Sequence, residues 1–139
     1  MRYETPADLR AEEEISAVVV AKLGLERAPK MPLHYVLDRA AIRAGAITSF
    51  FEVKDRNGWK FGDGDGLYLS LFKVLKGRHV QEVTGKRCQL VVRFVDGDIW
   101  WCPLASYDTA HGVFWFGRND RDEDEPCVVY RWDVFKRVA

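Results

Sequence analysis

The stretch that decides the fold is Val36 to Asn57, V-L-D-R-A-A-I-R-A-G-A-I-T-S-F-F-E-V-K-D-R-N. Two short apolar segments each deliver a carboxylate. The first ends V-L-D at Asp38, and the second runs F-F-E-V-K through Glu52 and Lys54. Side chains alternate faces along a strand, so Glu52 and Lys54 point one way while Phe51 and Val53 point the other. An acid and a base inside an apolar strand are costly to bury unless they are paired or hold a metal. A half-exposed same-face ion pair, with Asp38 as a turn residue, is the plainer reading of the E-x-K triplet. The upstream Asp38 and the helix before it are what favour chemistry here.

A chain of 139 residues suits one domain around one core, residues 1–139. The hydrophobic share of 47% supports a folded globular protein. With 21 basic and 21 acidic residues the net charge is zero, so there is no bulk basic excess of the kind that marks most nucleic-acid binders. The distribution of charge matters more than its sum. Cys88, Cys102 and Cys127 form no C-x-x-C and no zinc spacing, and buried thiols in a reducing cytosol account for them. Arg2, Glu4 and Asp8 interrupt any signal peptide. No apolar run reaches membrane-span length, so no membrane partner is expected.

Working outward, residues 5–23 read as a helix. Thr5 caps it, Pro6 takes the first position, Asp8 completes a capping box and Gly24 stops it. Leu9, Ala11, Ile15, Val18, Val19 and Leu23 share a broad apolar face. Of Glu12, Glu13 and Glu14, Glu12 lies nearest the centre of that face. A carboxylate there needs a partner, and a metal site under the helix is one. Glu13 and Glu14 suit a solvated, dipole-favoured patch. After a Pro29/Pro32 connection, residues 34–37 read as a strand and 39–45 as a helical turn or wide hairpin loop ended by Gly45. Ile47–Lys54 is the strongest strand of this half, and Asn57-Gly58 suits a tight hairpin with a return strand or its remnant over 59–61.

The G-D-G-D-G run over 62–66 has neither the spacing of an EF-hand nor the G-K-[ST] of a phosphate loop, and reads as a mobile loop near the site. Leu67–Leu75 reads as a second helix, with Lys73 roughly opposite its apolar side. Lys73, Lys76, Arg78, Lys86 and Arg87 form the densest basic stretch. It is solvated by default and phosphate-facing as the functional alternative. Strands are expected over 89–95, 99–104, 113–116 and 127–132. The acidic run 120–125 reads as a solvated loop. Four of the five tryptophans follow residue 99, so aromatic packing or a subunit interface is expected in the C-terminal half. His34, His79 and His111 share no ligand spacing and receive no role.

Two strands carrying Asp38 and Glu52 can bring both carboxylates to one divalent ion, and hard oxygen ligands suit Mg2+ or Mn2+. The Val53 carbonyl can add a ligand. Such an ion lowers the pKa of bound water and shields a phosphate. Lys54 can orient or deprotonate the water, or stabilise charge growing on phosphorus. No Ser-His-Asp or Cys-His arrangement competes.

At these residues the chain resembles the PD-(D/E)xK nuclease superfamily. The match is Asp38 followed by Glu52-Val53-Lys54, with a helical glutamate before and Leu67–Lys76 after. Y-L-S-L-F-K, L-V-V-R-F-V-D-G and G-R-N-D-R-D-E-D-E-P are similar to small phage or prophage members, some of them like Holliday-junction resolvases. Leu37 stands where the family carries a proline that makes no ligand contact. The resemblance implies an α/β, restriction-endonuclease-like core, a mixed central sheet flanked by helices. It also implies Mg2+ (Mn2+ as substitute) on Asp38 and Glu52, Lys54 assisting water, and Glu12 helping from the helix, with Glu13 the second choice. The implied function is a metal-dependent DNA endonuclease, structure-selective in the resolvase-like members and acting as a homodimer. Its place would be the cytoplasm, that of a bacterial host if the gene is a phage's. The alternative is a nucleic-acid-binding or assembly protein that kept the fold without catalysis.

Overall fold

The computed structural model describes residues 5–32, 37–116 and 125–139. The strand expected over 34–37 and the acidic loop over 120–125 fall mostly outside them. Helix α1 spans Pro6–Leu23. The Thr5 side chain accepts from the Asp8 N–H at 3.1 Å, and the Asp8 carboxylate accepts from the Thr5 N–H at 3.0 Å, closing the capping box. Gly24 ends the helix in the left-handed conformation, φ 63°, which only glycine adopts without penalty.

The main sheet is mixed and five-stranded, in the order β1 (Arg39–Arg43), β2 (Ala46–Arg56), β4 (Arg87–Phe94), β5 (Ile99–Pro103), β8 (Lys136–Arg137). A second sheet has the order β3 (Leu67–Ser70), β7 (Glu125–Tyr130), β6 (Phe114–Phe116). Helix α2 covers Leu71–Thr84. Strand β2 pairs antiparallel with β1 and parallel with β4, Glu52 lying opposite Leu90. A parallel neighbour requires a crossover, which β3 and α2 supply.

The alternation of β2 builds two cores, one on each face of the main sheet. Phe51 points to the face where Ala41, Val91 and Ile99 pack on Ile15 and Val19 of α1. Phe50 points to the other, where Ala40, Leu90, Val92 and Phe94 meet Val74 of α2 and Leu69, Val128 and Tyr130 of the second sheet. The layers are therefore α1, main sheet, then α2 with the small sheet. Cys88, Cys102 and Cys127 are buried free thiols.

Four expectations are corrected. Residues 39–43 form a strand, not a helical turn or loop, because Ala40 and Ala41 fit flat against the two opposite cores. The chain after Asn57 makes no return strand, since the inner edge of β2 is already taken by β4. Leu67–Ser70 is a strand and the helix starts at Leu71, because Leu67 and Leu69 bury on alternate positions against β7. The glycine-rich loop is anchored, not loose. Phe61 stacks on Trp100 at a centroid distance of 3.7 Å, and the Trp132 indole N–H donates to the Gly64 carbonyl at 3.1 Å. Those contacts belong to an aromatic cluster with Phe94 and Phe135, the C-terminal packing expected of the tryptophans.

Candidate active site

Where β2 runs past the start of β1, three of the singled-out side chains come together. Asp38 lies just before β1, and its Oδ2 accepts the Val53 N–H at 2.8 Å. This bond fixes the carboxylate against the β1 edge of β2. The N–H and C=O of a strand residue point to the same edge, so the Val53 carbonyl faces that edge too. Glu52 points to the α2 side and is 2% exposed. Lys54, two residues on, shares its face, with Nζ 4.0 Å from Glu52 Oε1 and a side chain 11% exposed.

A fourth side chain joins them that the sequence reading had turned away. Lys73, in the first turn of α2, places Nζ 3.1 Å from Glu52 Oε1. The helix is rotated from its expected phase: Val74 and Gly77 are buried, whereas Phe72 and Leu75 are exposed. Gly77 was the available signal. A side chain there would overlap Leu104, and a glycine inside a helix, costly in propensity, marks a close approach. The stripe Val74–Gly77 leaves Lys73 on the flank, within reach of the sheet.

Both ammoniums act on Oε1, and Glu52 Oε2 is buried with no hydrogen-bond partner. Burial first, and then the neighbouring Asp38 charge, raise the Glu52 carboxyl while Lys54 and Lys73 pull it back, and together they leave it at about 7. The orphaned Oε2, the Asp38 carboxylate and the Val53 carbonyl are hard oxygen donors, the chemistry that suits a small divalent cation. Among the described residues no group of three or more His, Cys, Asp or Glu side chains gathers. A cation here would draw on two carboxylates, the carbonyl, water and substrate oxygens.

The raised Glu52 carboxyl predicts a pH dependence. A carboxyl with a folded pKa near 7 binds its proton more tightly in the folded than in the unfolded chain. Its contribution to stability is therefore full at low pH and is lost as pH rises from the ordinary carboxylate range to about 7. In EDTA, the stability difference between wild type and Glu52→Gln should fall across that interval and level off above it. Urea denaturation at several pH values measures it; a difference that is flat or rising would contradict the burial of an ionisable Glu52.

The structure does not bring Glu12 to this cluster. Alternation at the start of β1 sends the Arg39 side chain to the α1 layer, where it is 4% exposed. There the Glu12 Oε2 accepts from Arg39 Nε at 2.9 Å, and Lys30 Nζ lies 3.1 Å away. Glu13 also pairs with Arg39, at 3.1 Å, and Glu14 with Arg93, at 2.8 Å. Glu12 is buried and partnered, as its place on the packing face requires, by an arginine and a lysine.

A mixed sheet carrying an Asp and an E-x-K triplet at adjoining strand positions defines a PD-(D/E)xK, restriction-endonuclease-like architecture. The Holliday junction resolvase Hjc of the archaeal hyperthermophile Archaeoglobus fulgidus has a similar fold. The two superpose with a TM-score of 0.63 at 15% identity, over 94% of this chain and 91% of that one. The family model described as "Phage putative PDDEXK endonuclease" matches residues 1–138, and the chain belongs to that family. It is a nuclease of the PDDEXK type. None of the curated proteins compared with it matches. Among the described residues no helix is long and apolar enough to cross a membrane.

Proposed function

We propose that the protein is a Mg2+-dependent DNA endonuclease, with Mn2+ as a substitute, whose site is Asp38, Glu52, Lys54 and the Val53 carbonyl. The observation that carries this reading is the buried, unpartnered Glu52 Oε2 beside a second carboxylate and a lysine. A buried oxygen without a partner costs free energy unless something fills its place. A divalent ion at this position supplies a Lewis acid that activates water and offsets charge on the attacked phosphate. Asp38 and Glu52 hold it. The bond from the Val53 N–H keeps Asp38 turned to the site. Lys54, as an ammonium, orients the attacking water or neutralises the non-bridging oxygens as charge builds there. Glu12 has no part in the chemistry in this reading; it secures Arg39 beneath α1.

The likeness of the fold to that of a junction resolvase supports branched DNA as the favoured substrate in this reading. A homodimer would offer one such centre to each of two arms, with the whole chain serving as one nuclease domain in the cytoplasm of a bacterial host. The test is cleavage of labelled four-way junction, flap, nicked and linear duplex DNA in Mg2+, Mn2+ or EDTA. Cutting in either metal, none in EDTA, and fastest on the junction is expected. Equal rates on all four substrates would remove the structure selectivity. No cutting of any substrate by folded, DNA-binding protein would favour the non-catalytic alternative.

A further inference from the structure

Lys73 is the one member of the cluster to which the reading above gives no task. Its ammonium is the nearer of the two to Glu52, 3.1 Å against 4.0 Å for Lys54, and its side chain is 27% exposed against 11%. It therefore stands at the rim of the site while Lys54 stands within. It is also the third residue of α2, in a first turn that contains no acid and whose N-cap, Ser70, makes no side-chain capping bond. A cation there opposes the helix dipole, so helix stability does not explain it. The position adds a positive charge to an end of the helix that already favours anions.

The local charge balance shows what that charge is for. Among the described residues and without metal, two carboxylates (Asp38 and an ionised Glu52) face two ammoniums (Lys54 and Lys73), and these charges cancel. A divalent ion on Glu52 leaves it doubly positive. The ion carries twice the charge of an ammonium and competes for the same carboxylate, so the more exposed lysine is the one displaced. Its flexible four-carbon stem lets the head swing outward, where the anion that restores balance is a backbone phosphate.

We propose that Lys73 exchanges partners: it pairs with Glu52 in the metal-free protein and passes to a DNA phosphate when a divalent ion takes Glu52. This rests on the metal-dependent nuclease reading and deepens it. In consequence, metal and DNA favour each other's binding through Lys73 as well as through direct contact of metal with phosphate.

DNA affinity in Ca2+ and in EDTA tests the exchange, using Lys73→Met and Lys73→Gln. The second retains a hydrogen bond to Glu52 should loss of all polarity harm folding. Either substitution should weaken binding about tenfold in Ca2+, the scale of one charge-assisted hydrogen bond, and less than about twofold in EDTA. In a Glu52→Gln background Lys73 no longer has the Glu52 charge to pair with, so Lys73→Met should weaken binding in EDTA as well. Equal loss in both media, or loss in neither, overturns the exchange. Mn2+ titration of wild type and Glu52→Gln separates this from failure of the underlying reading. Affinity that falls in Glu52→Gln while Lys73→Met costs the same in both media sinks the exchange alone. Affinity unchanged in Glu52→Gln sinks the metal site, and the exchange with it.

Discussion

Replacing Glu52 with glutamine should lower metal-dependent cleavage by about a thousandfold or more without unfolding the protein. The size follows from what is removed. Glutamine keeps the volume and one carbonyl oxygen but loses the charge that holds a dication. A Lewis acid contributes several kcal/mol to the barrier, and each ~1.4 kcal/mol is a factor of ten in rate. The fold should survive because the carboxylate is itself a burden there: burial drives its carboxyl up to about 7, against the pull of two lysines. Lys54→Ala makes a contrasting pair. It removes a water-orienting or charge-stabilising group, worth about 10²–10³-fold, and leaves Asp38 and Glu52 in place to bind metal. Isothermal titration with Mn2+ beside single-turnover cleavage should show Glu52→Gln losing both metal binding and cutting, and Lys54→Ala losing cutting alone. Wild-type cutting by Glu52→Gln, in protein free of contaminating nuclease, would place the reaction at a different centre.

The parts of this arrangement that could be read from the chain are those set by local chemistry. Thr5, Pro6, Asp8 and Gly24 declare the limits of α1, and the structure uses all four. The F-F-E-V-K alternation puts Glu52 and Lys54 on one face, and it does so whichever strand lies alongside. What could not be read depends on neighbours. R-A-A-I-R carries little strand propensity and becomes β1 because it is paired with β2 along one edge and bridged to Arg27 and Lys30 along the other. Y-L-S-L-F-K-V-L satisfies a strand period and a helix period at once, and only pairing with β7 puts the boundary at Ser70. Lys73 was lost through the same ambiguity. With Leu67, Leu71, Val74 and Leu75 counted as one apolar side, a wheel turns it outward, whereas the structure puts Leu67 in a strand, exposes Leu75 and packs Val74 with Gly77. Glu12 shows the opposite limit. The demand for a partner was legible, but its identity was not, because the choice between a metal and Arg39 turns on which face of β1 each residue of the D-R pair meets.

That choice has a large measurable consequence. Glu12→Ala should destabilise the protein by about 3 kcal/mol, toward the lower end of the range for breaking a buried ion pair by removing one partner. The loss arises because Arg39, 4% exposed, keeps its charge. Among the described residues it retains the Ala28 carbonyl at 3.0 Å and the largely exposed Glu13 at 3.1 Å. Lys30 would lose its salt bridge to Glu12 too, although at 31% side-chain exposure water can solvate it. The connection that carries Lys30 is bridged to β1 through Arg27–Ile42 and Lys30–Arg39, so its attachment to α1 should loosen as well. Urea denaturation would report the change as a lower midpoint, with cleavage per folded molecule and Mn2+ affinity unchanged. A catalytic Glu12 would give the reverse, a slow enzyme of ordinary stability. The double variant Glu12→Met/Arg39→Met distinguishes them further. Replacing both charges with apolar groups of similar length removes the desolvation cost along with the attraction, so most of the lost stability should return. If Glu12 bound the metal, the same double variant would remain inactive however stable it became.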